Sequence, residues 1–151
     1  MTKNEILIDL SESEMANVGK VDFAKQSTPQ KVFSAIWEIE SEVNNGGFAQ
    51  YFANGSAESA YFVVQALQTI GAPKTANICA RAIATALPGG LPETDDALQS
   101  AAANFSSETA EALNSLDQEF FSYPHNLTDL LFSFVNGLPE EFGTLPRPDD
   151  A

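Results

Sequence analysis

Apolar residues recur along this chain at intervals of three and four, and polar or Gly/Pro punctuation divides them into helix-length blocks. Thr28 reads as an N-cap with Pro29 at the first helical position. Val32, Phe33, Ile36, Trp37 and Val43 then mark one face of a helix. The stripe runs into Asn44-Asn45-Gly46-Gly47 and resumes at once with Phe48, Tyr51 and Phe52. Each glycine costs roughly 1 kcal/mol in a helix interior. The pattern therefore predicts a helix, a sharp elbow and a short aromatic helix over residues 48–53, closed by Asn54-Gly55.

The next block, 57–70, stops at Gly71 ahead of Pro73. An alanine-rich helix over 74–87 carries Ala76, Cys79, Ala80, Ile83 and Leu87 along one side, small enough for close helix approach. Pro88-Gly89-Gly90-Leu91-Pro92 breaks the pattern, and Thr94-Asp95-Asp96 opens another helix with acids in its first turn. A further helix spans 107–122, and Asn126 with Asp129 caps a last one through Val135. No alternating pattern competes. The expectation is a single compact all-α domain of about six or seven helices over residues 28–136. Residues 1–27 form an N-terminal arm, of which 5–18 suit an amphipathic helix, and 137–151 form an acidic tail containing Pro and Gly.

A chain of 151 residues with 44% hydrophobic composition can bury a core without staples. One cysteine excludes an internal disulfide. Ile6-Leu7-Ile8 is too short for a signal peptide, and no apolar run approaches a membrane span, so a soluble cytoplasmic protein is expected.

Charge changes the picture more. Twenty-one acids against seven bases leave a formal net charge of −14. No Lys or Arg occurs from Ala82 to Pro146, where ten acids fall: Glu93, Asp95, Asp96, Glu108, Glu111, Asp117, Glu119, Asp129, Glu140 and Glu141. Nucleic acid and anionic membrane are disfavoured as partners, because binding either rests on Lys and Arg. A basic protein surface is the natural complement. Acidity that only keeps the chain soluble is the plainer reading.

The inventory for catalysis is thin. One histidine, His125, and one cysteine, Cys79, supply no metal set, and their patterns suit a turn or capping residue and a buried structural thiol. Neither Gly46-Gly47 nor Gly89-Gly90 has the Lys-Ser/Thr of a phosphate loop, and no cofactor is implied. On the helix from Ser107, a 100° step per residue places Glu108, Glu111 and Glu119 together facing outward. Asp117 falls on the opposite side among Leu113, Leu116, Phe120 and Phe121, where a carboxylate must find an internal bond or titrate upward. An elbow amide or a helix end is the expected partner. Glu42 suits bonds from elbow amides, and the carboxamides of Asn44, Asn45, Gln50 and Asn54 suit locking the local backbone.

The run Glu42-Val-Asn-Asn-Gly-Gly-Phe-Ala-Gln-Tyr-Phe-Ala-Asn54 is similar to the hallmark of a bacterial domain family whose best-described member is a DNA mimic. The resemblance continues through Ile70-Gly71-Ala72, the break near Pro88, and Leu116-Asp117 with Phe120-Phe121. It implies an all-α fold with no catalytic activity to carry over. In the mimic member, an acidic dimer occupies the DNA-binding surface of a transcriptional regulator. The resemblance therefore implies that Glu42, Asn44, Asn45, Gly46, Gly47, Phe48, Gln50, Tyr51, Phe52, Asn54 and Asp117 mark the fold, and it leaves a homodimer open.

Any mimicry must come from this chain's own acids. Glu108, Glu111 and Glu119 spread three charges over about 16 Å of helix, whereas duplex DNA carries one per about 1.7 Å. Several helices, or two protomers, would have to pool. Glu93, Asp95, Asp96, Glu140 and Glu141 are the candidates to complete the surface.

The leading expectation is a non-enzymatic acidic protein that occupies the DNA-binding surface of a basic partner, such as a transcriptional regulator. The alternatives are an immunity-like inhibitor of a basic toxin or nuclease, and an enzyme using Asp117, Glu42 and the Asn-Asn-Gly-Gly region.

Overall fold

A computed structural model describes residues 1–13 and 22–149. It is all-helical, with no strand among the described residues. The elements are α1 (Lys3–Ser11), a 3-10 turn (Phe23–Lys25), α2 (Thr28–Asn54), α3 (Ala57–Thr69), α4 (Pro73–Ala86), α5 (Asp95–Ala103), α6 (Ser107–Phe121), α7 (Leu127–Asn136) and α8 (Pro139–Phe142). The helix expected over 5–18 starts earlier, at Lys3, and ends at Ser11 with Glu12 as its C-cap; residues 14–18 of that expectation lie outside the described residues.

Local chemistry sets most boundaries. Ser27, not Thr28, is the N-cap of α2: its hydroxyl accepts from Gln30 N–H while the Gln30 side chain accepts from Ser27 N–H. Pro29 sits one position further in than expected, where its missing N–H is still harmless. Ser56, Thr94, Ser106 and Asn126 cap α3, α5, α6 and α7 by the first of these bonds alone, each side-chain oxygen accepting from the N–H three residues on. The start of α4 lacks a side-chain cap of its own. His125 supplies one from across the molecule, its Nε2 accepting from Lys74 N–H at 3.1 Å.

α2 is the central element and packs against α3, α5, α6 and α8. Its inward stripe is Val32, Phe33, Ile36, Ile39 and Val43, with Trp37 only half-buried and stacked on Phe33. α4 runs between α3 and α6 and turns Ala76, Cys79, Ala82 and Ala86 inward. Burial pushes the Cys79 thiol up, so the reactive thiolate is disfavoured.

The two ends of the chain join this body. α1 buries Ile6, Leu7 and Leu10 and lies against α7. The tail is packed down and contains a helical turn, α8, whose Phe142 is buried against Phe33 and Phe134. No described helix is long and apolar enough to cross a membrane.

Candidate functional site: a locked elbow and an exposed acidic surface

The hallmark run folds as a break inside α2. Gly46 adopts φ −159° and ψ 18°, and Gly47 adopts φ 77° and ψ −176°. The positive φ at Gly47 is the conformation that a Cβ penalises. Asn44 and Asn45 are not left-handed, since Tyr123 is the only non-glycine with positive φ among the described residues.

Asp117 of α6 fills the space at Gly47. A Cβ built on Gly47 would lie 2.3 Å from Asp117 Oδ2. The Oδ1 atom accepts from Phe48 N–H at 2.8 Å, the amide that the break frees from the helix ladder. Asp117 is therefore buried, 8% exposed, with its charge answered by a backbone donor. Burial raises its pKa, and the Phe48 N–H opposes that shift. Phe48, Tyr51 and Phe52 are buried beyond the bend, where Phe120 and Phe105 meet them edge-on. Phe121, expected on the same inward side as Asp117, is 41% exposed, because α6 turns Leu113, Leu116 and Phe120 inward instead.

Glu42 binds side chains rather than the elbow amides expected of it. Its Oε2 accepts from Gln50 Nε2 at 2.9 Å and Asn54 Nδ2 at 3.2 Å, which spans the bend from one helical segment to the other. Asn44 donates to Tyr123 Oη at 2.7 Å, and Tyr123 in turn donates to Glu40 at 3.2 Å. Asn45 is exposed and makes no such bond. Glu38 accepts from Ser56 N–H at 3.2 Å and ties α2 to the start of α3. Tyr123 and Glu38 escaped the sequence reading because their partners lie far along the chain.

Three half-buried or buried carboxylates on this framework, Glu38, Glu40 and Asp117, are raised by burial above their ordinary values. A raised folded-state value means that protonation favours the native state. Their contribution is complete below the ordinary carboxylate range and is lost as pH rises through the raised values. Glu119 shifts oppositely, lowered by Arg81, so its small share would be lost only at more acid pH. Stability is expected to rise as pH falls from neutrality through these raised values towards the ordinary carboxylate range. A urea midpoint that falls over this interval would contradict this.

The exposed acids divide into engaged and free. Arg81, one residue ahead of the Lys/Arg-free stretch, holds Glu119 bidentately at 2.8 and 2.7 Å. Chain separation hid this pairing, so α6 offers two free charges where three were expected. Asp95 accepts from Ala57 N–H at 2.8 Å and caps α3 across space, and Glu141 accepts from Ser27 Oγ at 2.9 Å. Glu93, Asp96, Glu108, Glu111 and Glu140 are exposed and enter no hydrogen bond or ion pair with the described residues. Of the cations, Lys3 pairs with Asp129, Lys25 lies 4.0 Å from Asp22, and Lys31 lies over the Phe23 ring. No group of three His, Cys, Asp or Glu among the described residues could hold a metal ion.

The sequence profile of the DMP19-like protein family matches residues 24–137. The chain belongs to this family. The match begins just ahead of α2 and ends just after α7, so it takes in the elbow and the Asp117 lock but not α1 or α8. No curated protein and no solved structure matches the chain. Membership makes this a protein of the DNA-mimic type, and the family is generally non-enzymatic.

Proposed function

We propose that this protein is a non-enzymatic acidic binding protein that occupies the DNA-binding surface of a basic partner, such as a transcriptional regulator. The observation that carries the reading is the set of exposed, unpaired acids Glu93, Asp96, Glu108, Glu111 and Glu140 in a chain of net charge −14. Lysines or arginines spaced to meet phosphates can meet such carboxylates instead, and field complementarity steers the encounter. Glu108 and Glu111 alone fall short of DNA's charge density. α5, α6 and α8 must pool their acids, or two protomers must pair.

The elbow supports a fold-defining role over an enzymatic one. Asp117 is spent on Phe48 N–H and packed against Gly47, and Glu42 is spent on Gln50 and Asn54. No substrate atom fits between Asp117 and the backbone it touches.

A screened charge contact should lose affinity steeply with ionic strength. Affinity for the isolated partner is expected to fall by about tenfold or more between roughly 50 and 200 mM salt. An affinity flat over this range would remove the electrostatic basis of the proposal.

A further inference from the structure

A groove of about 470 Å³ opens where the 3-10 turn, the start of α3 and the Leu91–Glu93 segment ahead of α5 meet. Phe23 and Phe62 form part of its lining, with ring centroids 6.0 Å apart and edge-to-face, and Leu91 and Pro92 add apolar surface. Tyr61 lines it while 81% exposed. The side of α3 that enters the core is Ala57, Ala60, Val63, Ala66 and Leu67, so folding does not require an aromatic at residue 61.

Two acids, Glu58 and Glu93, also line the groove, and Asp95 and Asp96 follow Glu93 in exposed positions. Among the described residues the lining contains one cation, Lys31, whose Nζ lies 5.6 Å from the centroid of the Phe23 ring. An aromatic-lined recess edged by charge is how interfaces combine an apolar anchor with a polar rim. Its size falls in the range in which compact groups bury most of their surface. Charge selects the occupant. Glu58 and Glu93 favour cations beside the anchor, and the exposed ring of Tyr61 offers its face to a guanidinium or ammonium.

We infer that this groove anchors the partner by taking an apolar side chain from a basic amphipathic helix, while Glu58 and Glu93 meet the lysines or arginines beside it. The inference rests on the DNA-mimic reading and adds a specificity element that bare charge lacks. A surface that only copied phosphates would accept any cationic segment equally. This one prefers a cationic segment with an apolar face.

The test uses the whole chain, labelled with ¹⁵N, and two helical peptides of equal positive charge. One carries leucine at every third or fourth position, on one face, with arginine on the other, and the second replaces each leucine with serine. The leucine peptide is expected to bind about tenfold more tightly, with amide shifts centred on Phe23, Tyr61, Phe62 and Glu93. Tyr61→Ala should remove about that tenfold preference, while the serine peptide loses only the smaller share that a cation gains from the ring face. Tyr61 is too exposed for its loss to unfold the chain, and Glu58→Gln with Glu93→Gln provides a second variant that weakens both peptides.

Equal affinities, or shifts centred elsewhere, would overturn the inference. So would a Tyr61-dependent dimer in sedimentation, which would give the groove to a second copy. If Glu108→Lys/Glu111→Lys loses the basic partner while Tyr61→Ala keeps it fully, the groove proposal falls and the DNA-mimic reading stands. If both variants keep the partner, the DNA-mimic reading falls as well.

Discussion

Gly47→Ala is expected to remove about 3 kcal/mol of stability, from two separable causes. A Cβ at φ 77° costs roughly 1 kcal/mol or slightly more in backbone strain. The same Cβ would stand 2.3 Å from Asp117 Oδ2, so the carboxylate must move and Phe48 N–H loses its acceptor. An unsatisfied buried donor costs about 1–3 kcal/mol. A loss of this size is a large fraction of the roughly 5–15 kcal/mol that holds a typical domain together.

Asp117→Ala alone should cost about 1–3 kcal/mol by stranding the same donor. The two substitutions together should cost less than their sum by at least about 1 kcal/mol, because the added methyl then has nothing to strike. Denaturant unfolding of the two single variants and the double variant measures this. Strict additivity, or a Gly47→Ala loss below about 0.5 kcal/mol, would mean that the lock is not what holds the bend.

Charge reversal at Glu108 and Glu111 is the second large expectation, and it concerns binding. Each reversal removes an attraction and installs a repulsion, at about 0.5 kcal/mol for each exposed contact. Two reversals therefore lower partner affinity by about 2 kcal/mol, or roughly thirtyfold, at low salt. Glu108 lies in the first turn of α6, where the macrodipole favours an acid. Its reversal also costs about 0.5–1 kcal/mol of stability. Glu111→Lys serves as the control, because it changes the surface without touching that turn. An unchanged affinity in the folded double variant would take the free acids of α6 out of the interface and, with Tyr61→Ala also binding fully, would overturn the DNA-mimic reading.

Helix identity was readable because each block combines a 3.6-residue stripe with its own punctuation, as at Thr94, Asn126 and Gly71. The bend was readable because paired glycines inside an apolar stripe have few other uses. The boundary at Ser27 was misplaced by one residue because Ser27 and Thr28 can both cap, and Gln30, three residues after Ser27, completes the capping box there. What stayed hidden were contacts between residues far apart in sequence. A run free of Lys and Arg says nothing about Arg81 reaching over from α4, or about Tyr123 bridging Asn44 and Glu40. Asp117 was recognised as buried from its helical phase, yet its exact acceptor role needed the elbow placed beside it. The Tyr61 groove left only a faint trace, an aromatic on the polar side of α3.

Mutual exclusion tests the central claim most directly. A basic DNA-binding protein recovered with this chain from its native cell at low salt would be loaded with labelled duplex, and the chain then titrated in. The account predicts that DNA is released in step with binding of the acidic protein, and that added DNA reverses the exchange. A stable ternary complex, with partner, DNA and this protein all bound at once, would contradict it.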